Sequence, residues 1–236
     1  MTQEQLDHAR LASFIADGRL IRGQWTGKDS DGRKTACLLA ALYPPAGEHQ
    51  TADVCPAAVM RPWLAHLTPW IDDSGTAEKW PEQIRRYAAV ISNVVALDAD
   101  ADRRLQRRVG IVIVREAMAA VTVDKWGVKA AGEGMIAALE KGDEKEIAAY
   151  AAYAAAAYAA SSAATATAYA AYAAYAAAAY AASSAATAAA ATYATATAYA
   201  AAAAATATYA TAADRIIDGI LTEMERAAGL TQGDAT

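Results

Sequence analysis

Apolar positions recur at helical spacing through most of the first 142 residues, and polar breaks mark where each segment should stop. Thr2 and Gln5 have the spacing of a capping box. Leu6, Ala9, Leu11, Phe14 and Ile15 follow as apolar positions, and Gly18 suits the stop of a first helix. Residues 19–33 read as a loop or short hairpin with a polar turn at Lys28-Asp29-Ser30-Asp31-Gly32. A short apolar helix is expected over 34–43, ended by Pro44-Pro45. Pro56 and Pro62 can each open a helical turn, so 56–72 should be broken helical segments carrying Val59, Met60, Trp63, Leu64, Leu67, Trp70 and Ile71. After Ser74-Gly75-Thr76, a helix over about 77–96 places Trp80, Ile84, Tyr87, Ala88 and Ile91 on one side.

Asp98, Asp100 and Asp102 suit a helix start, through capping and the helix dipole. The following run Val109-Gly110-Ile111-Val112-Ile113-Val114 would also suit a buried strand. The spacing of Leu105, Val109, Val112, Ile113 and Met118, with no partner strand evident, favours helix. A further helix is expected over roughly 126–140, stopped at Gly142-Asp143. The chain closes with an amphipathic segment that puts Ile216, Ile217, Ile220, Leu221 and Met224 on one face.

Composition changes this picture between those last two helices. From Ile147 to Ala213, 67 consecutive residues include no charge, Gly or Pro; 43 are Ala, 10 Tyr, 9 Thr and 4 Ser. Residues 148–169 and 170–191 agree at 20 of 22 positions, an internal repeat. A 22-residue period is two eleven-residue units, which keeps a stripe nearly straight along a helix. Alanine is the best helix former, so helix is the expectation here. A single helix from 143 to 226 would be about 125 Å long; Ser161-Ser162 and Ser183-Ser184 could cap new helices if the chain folds back. An exposed single helix is usually laced with ion pairs, and this stretch has none to offer, so a neighbour should cover it. Alanine faces let backbones approach closely while Tyr rings add contact area.

The fold class expected is therefore all-α. An N-terminal multi-helix domain packed by Trp and Leu occupies 1–142. Long alanine-rich helices over 143–228, packed as a hairpin or bundle, end in the amphipathic helix, and 229–236 form a tail.

Charge and cysteine content exclude several function classes. The net charge is −5 and no basic cluster was found to follow a face, so no nucleic-acid partner is expected. No block of Leu, Ile, Val or Phe is long enough to span a bilayer, so no membrane partner is expected. The start, MTQEQLDHARL, lacks the apolar core of a signal peptide, and two cysteines are too few for a disulfide framework. The expected location is cytoplasmic.

Candidate chemistry is thin. Cys37, His49, Cys55 and His66 lack the tight pairing of structural zinc sites, and ordinary core cysteines with surface histidines are the better reading. Gly23 to Asp29 is one residue short of a phosphate loop and lacks its Ser or Thr. Asp98, Asp100 and Asp102 begin like a calcium loop, but Arg103 and Val109 stand where Gly and Glu belong. Asp72 and Asp73 with His66 could supply acid and base groups, although Ser74-Gly75 beside them reads as a turn. Trp63, Trp70 and Trp80 suit core packing better than a ligand pocket. Base stacking by the tyrosines would need interleaved Lys or Arg. No catalytic residue, metal or cofactor is expected. The candidate interaction surface is Tyr150, Tyr153, Tyr158, Tyr169, Tyr172, Tyr175 and Tyr180, with Trp63 and Trp70.

Two resemblances bear on function. The segment from Trp126-Gly127-Val128 through Gly142-Asp143 to Ile147, followed by Tyr-Ala-Ala runs, resembles a loosely defined family of immunity-like proteins of bacteria and their phages. The runs Ala36 to Leu42, Cys55 to Met60 and Trp63 to Asp73 resemble uncharacterised phage and prophage proteins; together these cover most of the chain. The resemblance implies binding of another protein, a toxin or a host defence component, and carries over no catalytic residues. Separately, Thr195 and Thr206, and Thr197 and Thr208, lie eleven apart in an alanine background, which is similar to alanine-rich helical antifreeze proteins. The function expected is non-catalytic protein binding, with self-association as a homo-oligomer alongside it. Ice binding and an enzyme of unknown class centred on Asp72, Asp73 and His66 are the alternatives.

Overall fold

The computed structural model describes residues 5–120, 128–143, 145, 147 and 207–230. It is mostly helical, with 66% of the described residues in helix and one small two-stranded hairpin. The described residues of Met1–Asp73 and Ala77–Ala96 form one compact unit, and those of Ser74–Thr76 and Leu97–Thr236 a second.

In the first unit, α1 (His8–Ala16) is capped by Asp7, whose Oδ1 accepts the Arg10 N–H at 2.8 Å. The helix therefore starts later than the Thr2–Gln5 spacing suggests; Thr2 lies outside the described residues. It stops where the sequence indicates. Gly18 takes φ +64°, and the Arg19 N–H reaches back to the Phe14 carbonyl at 2.8 Å. Leu11 and Phe14 are buried, with the Arg19 guanidinium over the Phe14 ring, 3.9 Å from its centroid.

A hairpin follows. Strand β1 (Thr26–Lys28) pairs antiparallel with β2 (Lys34–Ala36), Gly27 opposite Thr35. Asp29 shapes the turn by accepting the backbone N–H groups of Asp31 and Arg33 at 3.0 and 2.9 Å. Residues 34–36 are thus strand rather than the start of the expected helix. The Asp29 turn returns them alongside 26–28, and this pairing overrides the local alanine–leucine preference.

Helix α2 (Leu38–Leu42) is only five residues long, yet each of them is fully enclosed. It packs against α1, α3 (Pro44–His49) and α4 (Pro62–Asp73), so it forms the centre of the unit. Pro44 and Pro45 end α2 as the sequence implies, but they also open α3, because a first-turn proline gives up only an N–H that lacks a helical partner. Helix α4 starts at Pro62 and runs through Pro69. Helix α5 (Trp80–Val95) presents Ile84, Tyr87, Val90, Ile91 and Val94 to the interior; Ala88, expected on that side, is half-buried.

In the second unit, α6 (Ala99–Ala120) packs against α7 (Val128–Lys141) and α8 (Ala207–Ala227). Asp98 caps α6, its Oδ1 accepting from the Asp100 and Ala101 N–H groups at 2.9 and 2.8 Å. The Val109–Val114 run is helical, not strand. Small residues bring the helices together: a Cβ on Gly219 of α8 would lie 2.5 Å from Val112 Cγ1 of α6. Helix α7 ends at Gly142, as the sequence indicates, with the Asp143 N–H on the Ala138 carbonyl at 3.0 Å. On α8, Ile217, Ile220, Leu221 and Met224 are fully buried and Ile216 half-buried. The last residues of the neutral stretch, from Ala207 on, are helical. The repeat itself, with Tyr150, Tyr153, Tyr158, Tyr169, Tyr172, Tyr175 and Tyr180, lies outside the described residues, as does the form in which it packs. No helix among the described residues is long and apolar enough to cross a membrane.

Candidate functional site

A group of polar contacts gathers at the C-terminal end of α4. Asp72 is 0% exposed, a position that a carboxylate occupies only with good partners. Its Oδ2 accepts the Leu38 N–H at 2.8 Å, the first residue of α2. Its Oδ1 accepts the indole N–H of Trp80 at 3.1 Å, the first residue of α5. One side chain thereby joins three helices. It supplies α2 with an acceptor at a terminus where helical N–H groups lack partners.

Arg22, from the segment between α1 and β1, closes the same end of α4. Its Nε donates to the Asp72 carbonyl and its Nη2 to the Asp73 carbonyl, both at 3.0 Å. Such carbonyls are left over at every helix C-terminus, and a cation there also complements the dipole. Asp73 turns back to accept the Gly23 N–H at 2.6 Å. The glycine segment that is one residue short of a phosphate loop thus offers its first N–H to a carboxylate of the chain itself. Cys37 completes the group: as N-cap of α2, its Sγ accepts the Ala40 N–H at 3.4 Å.

Burial governs the titration of these groups. It pushes the Asp72 carboxyl up to about 7, with the Asp73 charge adding to the rise, while the Leu38 N–H, the Trp80 indole and Arg22 pull it down. Burial likewise lifts the Cys37 thiol to about 12, so it stays protonated and unreactive.

Of the acid–base set suggested by the sequence, His66 faces Asp53, while Asp72 and Asp73 hold backbone N–H groups. His66 Nε2 faces Asp53 at 3.2 Å, and its side chain is 15% exposed, so it is not the surface histidine expected. Burial lowers its pKa despite the Asp53 charge. Cys37 and Cys55 are buried free thiols, and His49 is exposed. Among the described residues no group of three His, Cys, Asp or Glu side chains is arranged to hold a metal ion. Trp63 is 7% exposed and Trp70 half-buried. Reading the sequence alone missed Arg22, the Leu38 N–H and the role of Trp80. The one local signal was the Asp-Asp pair ahead of Ser74-Gly75, which also fits a plain turn.

The fold and this junction define a mostly helical protein with a buried carboxylate tying helix ends together. No family model, no curated protein and no solved structure matches the chain.

Proposed function

We propose that the chain is a non-catalytic protein-binding protein whose Ala/Tyr-rich repeat meets another protein. One observation carries this reading: 67 consecutive residues without a charge, built on a near-identical 22-residue repeat with regularly placed tyrosines. A neutral surface of small residues and aromatic rings is suited to close packing against a partner, and tyrosine is favoured at such contacts. The state of the chemistry-bearing groups in the first unit adds support. Asp72, Asp73 and Cys37 each accept backbone N–H groups. The resemblance to immunity-like phage and prophage proteins points to a toxin or a host defence component as the partner.

The test compares the full chain with a variant in which Tyr150, Tyr153, Tyr158, Tyr169, Tyr172, Tyr175 and Tyr180 are all replaced by Ala, which keeps helix propensity. Affinity capture from bacterial lysate, followed by mass spectrometry and by binding of the purified candidate, should give a protein that the full chain holds at least about tenfold more tightly, a difference of about 1.4 kcal/mol. Equal binding by both chains, or no selective capture, would sink the proposal. Thermal hysteresis in the same preparation would instead favour ice binding through Thr195, Thr197, Thr206 and Thr208.

A further inference from the structure

We infer that Asp72 is a proton-operated latch on the start of α5: as a carboxylate it holds the Trp80 indole, and on taking up a proton it lets that indole go. The geometry carries the argument. Both carboxylate oxygens accept an N–H, from Leu38 of α2 and from Trp80 of α5. That pattern suits the anion, which is an acceptor only. Protonation turns one oxygen into a donor, and an O–H facing an N–H is repulsive.

The two bonds are not equally able to yield. Leu38 is fully enclosed, so its N–H would be left without a partner, a costly state for a buried donor. Trp80 is only half-buried, and its bond is the longer of the two at 3.1 Å against 2.8 Å. Its indole N–H can turn to water. The proton comes from solvent and stays on the Trp80-side oxygen, and no other bond is made or broken.

Among the groups facing Asp72, Asp73 is a second carboxyl that burial pushes up. The Arg22 guanidinium favours the anion. Cys37, at the α2 cap, and Tyr87, on α5, are both held protonated by burial well above neutral pH. Asp73, next on α4, opposes ionisation of its neighbour. Burial against these contacts brings the carboxyl to about 7, where small changes in acidity move the population.

The test follows the indole N–H signals of the full chain by two-dimensional NMR, with Trp80 assigned from a Trp80→Phe variant. The Trp80 signal should move through a single transition centred near 7. Asp73→Asn should shift that midpoint downward, because a repelling charge is gone, and Asp72→Asn should abolish the transition. If Asp72→Asn does not fold, the carbon-13 carboxyl shift of Asp72 in the unaltered chain should report the same midpoint. A Trp80 signal that stays flat from about pH 5 to about pH 9, between the usual carboxylate and phenol ranges, would overturn the latch. So would a midpoint that Asp73→Asn leaves unmoved, a transition that survives Asp72→Asn, or a carboxyl midpoint apart from the indole's.

Discussion

The Tyr87 phenol and the Thr68 hydroxyl meet at 2.6 Å, and both residues are fully buried. Thr68 also lies 2.7 Å from the Leu64 carbonyl, which takes its single proton, so Tyr87 is the donor of the pair. Thr68→Val should leave the phenol unsatisfied and destabilise the first unit by about 1–3 kcal/mol, whereas Tyr87→Phe should cost about 1 kcal/mol. The double variant should resemble Tyr87→Phe rather than the sum. Urea unfolding of the four chains measures this; simple additivity would show that the bond is not shared.

Arg22 closes the C-terminal end of α4 through two carbonyls, so its loss removes two charge-assisted bonds at once. Arg22→Ala should lower stability by roughly 1.5–3 kcal/mol. Arg22→Lys should recover only part of this, since a single ammonium lacks the planar fork that spans both oxygens. Thermal unfolding of the three chains gives the comparison, and full recovery with lysine would count against the fork.

Glycines in the second unit separate two kinds of close contact. Gly219→Ala would drive a methyl to 2.5 Å from Val112 Cγ1, and a β-branched side chain has little freedom to move aside. Overpacking of about 1–3 kcal/mol should outweigh the gain of about 1 kcal/mol in helix propensity. Gly132 faces Met118 instead, whose unbranched chain can swing away, so Gly132→Ala should be near neutral or stabilising. Denaturant midpoints of both variants decide it, with Val112→Ala expected to rescue Gly219→Ala.

Stability should also depend on pH in two opposite ways. Asp72 has a folded value of about 7 against an ordinary 3.8, so between these the folded chain binds the extra proton. Its stabilising contribution is complete below 3.8 and disappears as pH rises through about 7. Asp98 behaves conversely, because the N–H groups of Ala101 and Asp100 lower its pKa; its contribution is lost as pH falls below the carboxylate range. Urea midpoints should therefore fall from mildly acidic to mildly alkaline pH. Asp73→Asn should displace that decline toward lower pH, and Asp98→Ala should weaken the loss on the acid side.

Helices whose evidence is local were legible. The Asp98 cap, the Gly18 and Gly142 stops and the buried face Ile217, Ile220, Leu221 and Met224 all follow from spacing within one turn or two. What escaped depends on distant partners. Asp72 and Leu38 are 34 residues apart, and Arg22 and Asp72 are 50 apart, so no window around Asp72 shows that it turns inward. Lys34–Ala36 failed for a related reason. Its strand exists because Asp29 folds it back on Thr26–Lys28, while the alanine–leucine run just beyond favours helix locally.

Tyr43 serves at once as the last cap of α2 and the first of α3, so the two helices share a joint with no slack. An extra residue inserted there would rotate α3 by about 100° about its axis. Ala46 would be carried into the place of Gly47, where even a Cβ would lie 2.7 Å from Thr26 Cγ2, and Pro45 into the place of Ala46. The tip between Asp29 and Arg33 is held by its own hydrogen bonds but is exposed, with no interior surface for an added residue to displace. Length variation among kindred chains should accordingly collect at that tip and spare the joint.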